Sequence, residues 1–347
     1  MPHATNNDQD SPADQSTPEQ EQPTPAPEQE QPKVVSQEEM RRRIQEANRR
    51  RQEVEQAKTA KELDVVYAIS EEDFIDSIKR ERPEETSFSD VYSQEEIDGD
   101  IEEVKKYERD FEEAGDRSKI QEYITMQEII EGDWFRTDSN DTKTLAFMTS
   151  KYDDYFEGVD VAVVTGNPPI MFGIDFTYNK EKIAKKTRFM SRYNSDNTPF
   201  SHEKGITAIK YFEDNKSDTP IAKKGTHFTI PRFVVSFSPK ITDRLFECRR
   251  RASWKNSNEY NKASKRLRLI CLTELTNQVN QLYDHHILSD DPASYALSKE
   301  LEQLRDIFEA ALEKARAEDS YGAAQKFLEQ DDLTKRVLET KIFPEDE

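Results

Sequence analysis

Residues 157–178 read EGVDVAVVTGNPPIMFGIDFTY, two apolar runs joined by Gly166-Asn167-Pro168-Pro169. With those four residues as a hairpin loop, a common loop length, Thr165 faces Ile170. Counting outward then sets Asp160 opposite Asp175. Side chains alternate faces along a strand. One face carries Val159, Val161, Val163, Phe172, Ile174, Phe176 and Tyr178, is apolar throughout, and is the core face. The other carries Asp160, Ala162, Val164, Met171, Gly173, Asp175 and Thr177. Two carboxylates directly opposite on neighbouring strands repel, and one of them tends to take up a proton. Mg²⁺ or Mn²⁺, hard cations that favour carboxylate oxygen, would resolve that conflict. Asp160 and Asp175 are therefore the expected metal ligands. The plainer alternative leaves both acids on a solvent-exposed sheet face, although aspartate is depleted in strands.

Working outward, residues 98–131 carry apolar positions at spacings of three and four (Ile101, Val104, Tyr107, Phe111, then Ile120, Tyr123, Ile124, Ile129) broken at Gly115. That pattern predicts two helices. Residues 142–150 form a short apolar segment, strand or helix. After the hairpin, residues 180–193 read as a helix with a basic face. GITAIKYFED (205–214) and TIPRFVVSF (229–237) read as strands, the second one buried. Helices are predicted from Pro239, over 258–287 and over 294–317. The fold class is mixed α/β, an α+β arrangement with a mixed sheet flanked by helices.

The N-terminal 35 residues are rich in Pro, Gln and Glu and nearly devoid of aliphatic side chains. Such a segment cannot bury enough surface to offset its ordering entropy, so a disordered acidic tail is expected. Residues 36–97 read as a charged helical linker region, opened by the capping pattern Ser36-x-x-Glu39. Residues 251–347 read as a C-terminal helical extension. The tail and these helices are the candidate docking elements for a protein partner.

Composition narrows the function. Of 347 residues, 34% are hydrophobic and 35% charged, and the net charge is -21. The balance opposes a protein coated for nucleic acid as a whole. Local cations therefore decide. Lys180, Lys182, Lys185, Lys186, Arg188 and Arg192 crowd just after the acidic hairpin, and Lys182, Lys185, Lys186 and Arg188 are candidate contacts to a phosphate backbone. A second basic zone runs from Arg249 to Arg268, with Trp254 and Tyr260 among its cations. Two cysteines, Cys248 and Cys271, are too few for a disulfide scaffold or a zinc site, which fits a reducing, cytoplasmic setting. No 18-residue apolar run suggests a transmembrane helix. There is no phosphate loop, dinucleotide fingerprint or zinc-protease motif.

The acids and their setting resemble the PD-(D/E)XK nuclease superfamily, the restriction-endonuclease-like fold. GVD ending at Asp160 is similar to the acid at the start of that family's second core strand. IDFT, with Asp175 and Thr177, is similar to the acid-x-lysine of the third. The pattern YDD…GVD…IDxT is also similar to that of uncharacterised bacterial proteins. The resemblance implies a core of helix, three-strand meander, helix and strand over residues 98–250. It also implies metal-dependent hydrolysis of nucleic-acid phosphodiesters, with Mg²⁺ or Mn²⁺ held by Asp160 and Asp175. Threonine stands in the lysine position at Thr177 and supplies no cation. The lysine must then come from elsewhere. Lys180 and Lys182 are candidates, and Lys210, inside an apolar strand, is taken as the catalytic one; its alternative role is an edge-strand lysine. Glu128 or Glu131 would add a third carboxylate. Asp153, Asp154 and Glu157 are read as strand-flanking caps. Two other readings use the same residues: a catalytically inactive nuclease-fold protein that binds nucleic acid or protein, and a scaffolding protein that docks through its tail and C-terminal helices.

Overall fold

The computed structural model describes residues 70–110, 116–138, 140–178, 186, 205–214, 224–251, 255, 257–288, 292–318, 322 and 326. The expected acidic tail, the helix over 36–60 and, Lys186 apart, the basic helix over 180–193 lie outside these residues.

Helix α1 (Glu71–Glu81) starts at a capping box, in which Ser70 Oγ accepts from the Asp73 N–H and the Asp73 carboxylate accepts from the Ser70 N–H. Its apolar stripe, Phe74 and Ile78, is buried, and the Phe74 ring meets Tyr123 and Phe246 edge-on at 5.3 Å. Pro83 follows Arg82, and the residue before a proline is driven to extended backbone. Arg82 is accordingly extended (φ -77°, ψ 124°), with its N–H donating to Ile78 O. Helices α2 (Gln94–Asp110) and α3 (Asp116–Glu131) follow, on either side of the predicted Gly115 break.

Strands β1 (Leu145–Met148), β2 (Val161–Thr165), β3 (Ile170–Thr177), β4 (Ile206–Phe212) and β5 (Gly225–Ser236) form a sheet of order β1-β2-β3-β5-β4. The first three are an antiparallel meander, β5 runs parallel to β3, and β4 pairs antiparallel with β5. The hairpin has the register read from its turn: Thr165 pairs with Ile170 and Val161 with Ile174. Asp160, one residue before β2, donates its N–H to Ile174 O at 2.9 Å.

Alternation divides the side chains as expected, with both faces covered. Val161, Val163, Phe172, Ile174 and Phe176 join the large core, while Ala162 and Val164 join a smaller cluster with Phe147, Ile209 and Phe212. Val159 departs from the expected face and packs in the smaller cluster. The reason lies opposite it: Gly173 has no side chain, and a Cβ there would come within 2.9 Å of the Val159 methyls. The solvent-exposed alternative for the two acids also fails. Asp160 is 5% and Asp175 2% exposed.

Helices α4 (Pro239–Arg249), α5 (Asn258–Ile287) and α6 (Pro292–Glu318) complete the described architecture. Leu272, Leu275, Val279 and Leu282 of α5, and Leu301, Leu304 and Phe308 of α6, are fully buried in the same core as the hairpin. Each such side chain is worth roughly 1.5–3 kcal/mol of burial as an upper bound. Past Pro231, where pairing with β4 stops, α5 covers the open edge of β5. Gln278 accepts from the Val234 N–H and donates to Val234 O, and Glu274 accepts from the Ser236 N–H. The helix thereby satisfies backbone groups that a neighbouring strand would otherwise take. Among the described residues no helix is long and apolar enough to cross a membrane.

Candidate metal centre

Three carboxylates from three elements converge. Glu122 lies on α3, in a polar stripe with Ser118, Gln121 and Thr125 at helical spacing. Asp154 sits in a single π turn, Asp153–Glu157. Its neighbour Asp153 fixes that turn, accepting from Ser150 Oγ (2.9 Å) and from the N–H groups of Lys210 (2.7 Å) and Tyr211 (3.1 Å). Gly158 ends the turn at φ 64°, and a Cβ there would come within 2.5 Å of the Arg232 guanidinium. Asp160, at the entry to β2, accepts from the Phe176 N–H at 2.6 Å. Oxygens of Glu122, Asp154 and Asp160 all lie within 4.8 Å of one another.

Three cations face this group and Asp175. Lys186 Nζ pairs with Asp175 Oδ1 and donates to Phe176 O at 2.8 Å. Arg232 Nη2 pairs with Asp175 Oδ2. Phe176 thus gives its N–H to Asp160 and takes a hydrogen bond from Lys186 on its carbonyl, which couples the two strands' acids through one residue. Arg82 reaches in from the end of α1: Nη1 donates to Asp154 Oδ2 at 3.1 Å, and Nη2 lies 3.9 Å from Glu122 Oε2.

Four acids, Glu122, Asp154, Asp160 and Asp175, therefore face the three cations Arg82, Lys186 and Arg232. The imbalance shows in the titration. Burial, then the Asp154 charge, pushes Glu122 up to about 7. Burial, then Glu122 and Asp154, holds Asp160 well above the usual carboxylate range. Burial opposes charge on Lys186, but Asp175 and Asp160 outweigh it and hold the ammonium charged. The surroundings are also under-satisfied. Arg82 Nε and Nη2, Thr177 Oγ1 and the Tyr178 hydroxyl are buried without a hydrogen-bond partner among the described residues. Buried polar groups are rarely left so. Excess negative charge, all-oxygen donors and idle hydrogen-bonding groups fit a hydrated Mg²⁺ or Mn²⁺. Glu122, Asp154 and Asp160 are the residues that would hold it.

Of the residues singled out in the sequence, Asp160 and Asp175 are brought together with Phe176 between them. Lys210 is not brought to them. Its amine pairs with Asp100 at 2.5 Å and Glu96 at 2.9 Å, above the rings of Tyr92, Tyr152 and Tyr211. It stands on β4, an edge strand, and joins α2 to the sheet. The lysine beside Asp175 is Lys186, which sequence reasoning had assigned to phosphate contact. Lys180, Lys182, Lys185 and Arg188 lie outside the described residues. Glu128 does not supply the third carboxylate: it accepts from Arg249, Tyr260 and Ser264, and Glu131 also pairs with Arg249. The second basic zone is largely spent inside the chain, with Arg249 on Glu128, Arg268 on Glu318 and Lys255 near Glu131. Cys248 and Cys271 are buried free thiols.

Glu122 is not singled out by the sequence reading, and Asp154 is read there as a strand-flanking cap rather than a ligand. A usable signal existed for Glu122: Ser118, Gln121, Glu122 and Thr125 form a polar stripe at helical spacing, and such a stripe packed inward has to be satisfied by something.

No protein-family model, no curated protein and no solved structure matches the chain.

Proposed function

We propose that the chain is a divalent-metal-dependent phosphodiesterase of nuclease type, acting on nucleic acid. The observation that carries this is the convergence of Glu122, Asp154 and Asp160 within 4.8 Å, beside a partly buried lysine held on Asp175. The element order supports the restriction-endonuclease-like reading. Helix α3, the meander β1-β2-β3 and β5 parallel to β3 occur in the sequence that resemblance implies, with β4 as an added edge strand, while the helix it sets between the meander and the last strand lies, Lys186 apart, outside the described residues. The lysine that Thr177 lacks is then supplied from outside the strand, by Lys186.

The roles follow from the contacts. Glu122, Asp154 and Asp160 would hold the cation. A bound cation would supply charge neutralisation on the phosphodiester and a more acidic attacking water. Asp175 holds Lys186, and Lys186 orients that water and offsets charge developing on the phosphate. Arg232 fixes Asp175 from the other side, and Phe176 fixes Asp160.

The test is incubation of the full chain with single- and double-stranded oligonucleotides in Mg²⁺ or Mn²⁺, with and without chelator. Cleavage that needs the metal and disappears in Asp160→Asn is the expected result. Intact substrate under every metal, strandedness and sequence context, alongside a chain that binds no Mn²⁺, would overturn the reading. One observation favours a second reading, a nucleic-acid-binding module without hydrolysis: both oxygens of Asp175 are taken by Lys186 and Arg232, so it is not free as a ligand. Mn²⁺-independent, salt-sensitive oligonucleotide binding without cleavage would select it.

A further inference from the structure

Arg82 does less in its present contacts than its position allows. Its side chain is 9% exposed, so it has left water. Nη1 donates to Asp154; Nη2 stands 3.9 Å from Glu122 Oε2, beyond hydrogen-bond reach, and both it and Nε are buried without a hydrogen-bond acceptor among the described residues. A guanidinium carries five donors in a fixed fork, and two adjacent idle donors form the edge that binds two oxygens of a phosphate. The backbone beneath it is set by the Ile78 hydrogen bond and by Pro83, so the fork is held in place before any ligand arrives. Nε and Nη2 therefore have hydrogen-bonding capacity that no oxygen of the described residues takes up.

We propose that Arg82 is the phosphate-binding residue of this site, with Nε and Nη2 taking oxygens of a phosphate ester placed against the acid cluster. The inference rests on the metal-site reading given above and adds a residue that no sequence pattern marked. The ligand class is a phosphomonoester or phosphodiester. A charge clamp of this kind is shared by a terminal phosphate and an internal one, and the two are separated by the probes below. Arginine suits the task better than lysine, since a planar fork meets two oxygens where an ammonium meets one.

The test uses the full chain, wild type and Arg82→Gln, with Mn²⁺ binding measured first. Inorganic phosphate, thymidine 5′-monophosphate and a dithymidine phosphodiester are then titrated in saturating Mn²⁺. Expected is Mn²⁺ binding in Arg82→Gln that holds or rises, since a cation paired with Asp154 and near Glu122 has gone. Phosphate-ester affinity should fall about tenfold or more, the loss of one charge-assisted bidentate contact. A stronger loss for the monophosphate assigns a terminal phosphate; an equal or stronger loss for the diester assigns an internal one. If Arg82→Gln does not fold, Arg82→Lys decides, because it keeps the charge for Asp154 but not the fork, and the same tenfold loss is expected. Unchanged phosphate affinity in a folded variant that binds Mn²⁺ overturns the inference and leaves the metal reading standing. A wild type that binds no Mn²⁺ overturns the metal reading instead. Metal-free phosphate binding that Arg82→Gln abolishes would then still support the inference, and its absence would end it.

Discussion

Two lysines of this chain close on carboxylates, and they do so to opposite ends. Lys210 meets Asp100 and Glu96 and lies over three tyrosine rings, a place where each contact it can make is made. Glu96 remains about half exposed, so water relieves the second acid there. Lys186 meets Asp175 in a region where every acid is at least four-fifths buried and one acid more than the cations is present. Arg82, Thr177 and Tyr178 bring donors there that have no hydrogen-bond acceptor among the described residues. A satisfied ion cluster joins elements. An under-satisfied buried one keeps an unspent electrostatic demand, which is what a ligand site requires.

The largest effect that could break this contrast is the removal of one acid from the under-satisfied group. Asp160→Asn or Glu122→Gln should abolish Mn²⁺ binding, and should lower metal-dependent cleavage by about a thousandfold or more, the scale expected when charge stabilisation at a phosphate is lost. Lys210→Met should leave both within about threefold. Isothermal titration with Mn²⁺ and single-turnover cleavage measure the two. Equal losses for the acids and for Lys210 would erase the distinction.

Lys186→Met tests the same contrast from the cation's side. Cleavage should drop by about a hundredfold, an ordinary magnitude for a lost electrostatic or acid–base group. Mn²⁺ affinity should hold or rise, because a competing positive charge beside Asp175 and Asp160 has gone. A parallel loss of metal binding would mean that Lys186 only holds the acids in place.

The π turn lies between the two regions, and its Glu157 sharpens the contrast through pH. Burial, then the neighbouring Asp153 charge, pushes Glu157 up to about 7 from 4.5, against Thr207 and Arg232. The folded chain therefore holds a proton there that the unfolded chain has released between those pH values. Stability from this group is full below about pH 4.5 and is lost as pH rises through about 7. The ceiling is about 3 kcal/mol, from 1.36 kcal/mol per pH unit. Glu122, raised into the same window, acts in the same direction. Urea melts across pH 4.5–8 should show wild type losing more stability on the alkaline side than Glu157→Gln. Matching slopes would remove Glu157 from the account.

Much of the frame was legible in the sequence for physical reasons that act locally. The hairpin register followed from the loop length and the period of two, and the helices flanking Gly115 from apolar spacing. Asp160 and Asp175 were legible because an aspartate in a strand is out of place unless something pairs with it. The rest depends on contacts far apart in sequence. Asp154 differs from its neighbour Asp153 only in where the π turn points it: Asp153 is spent on backbone N–H groups of β4, and Asp154 on Arg82. Lys186 and Lys210 are equally plausible from composition. Only the fold shows that one reaches Asp175 and the other reaches back to α2.

That last pair gives the smallest and most discriminating measurement, because it asks the structural lysine to behave as one. Lys210→Met leaves Asp100, 13% exposed, without its cation, while Glu96 keeps much of its water. It also removes an ammonium from three tyrosine faces, each worth a fraction of a kcal/mol at such sites. A fully buried pair would cost 3–5 kcal/mol on losing one partner. With one acid half in water, the expected loss is about 2 kcal/mol, read as a lower urea midpoint at unchanged slope. Lys186→Met should cost less, since Asp175 loses one of its two cations and keeps Arg232. Its stability cost should be the smaller of the two although its cost in activity is the larger. A Lys186→Met chain destabilised more than Lys210→Met would make both lysines structural and would leave the acid cluster without its catalytic partner.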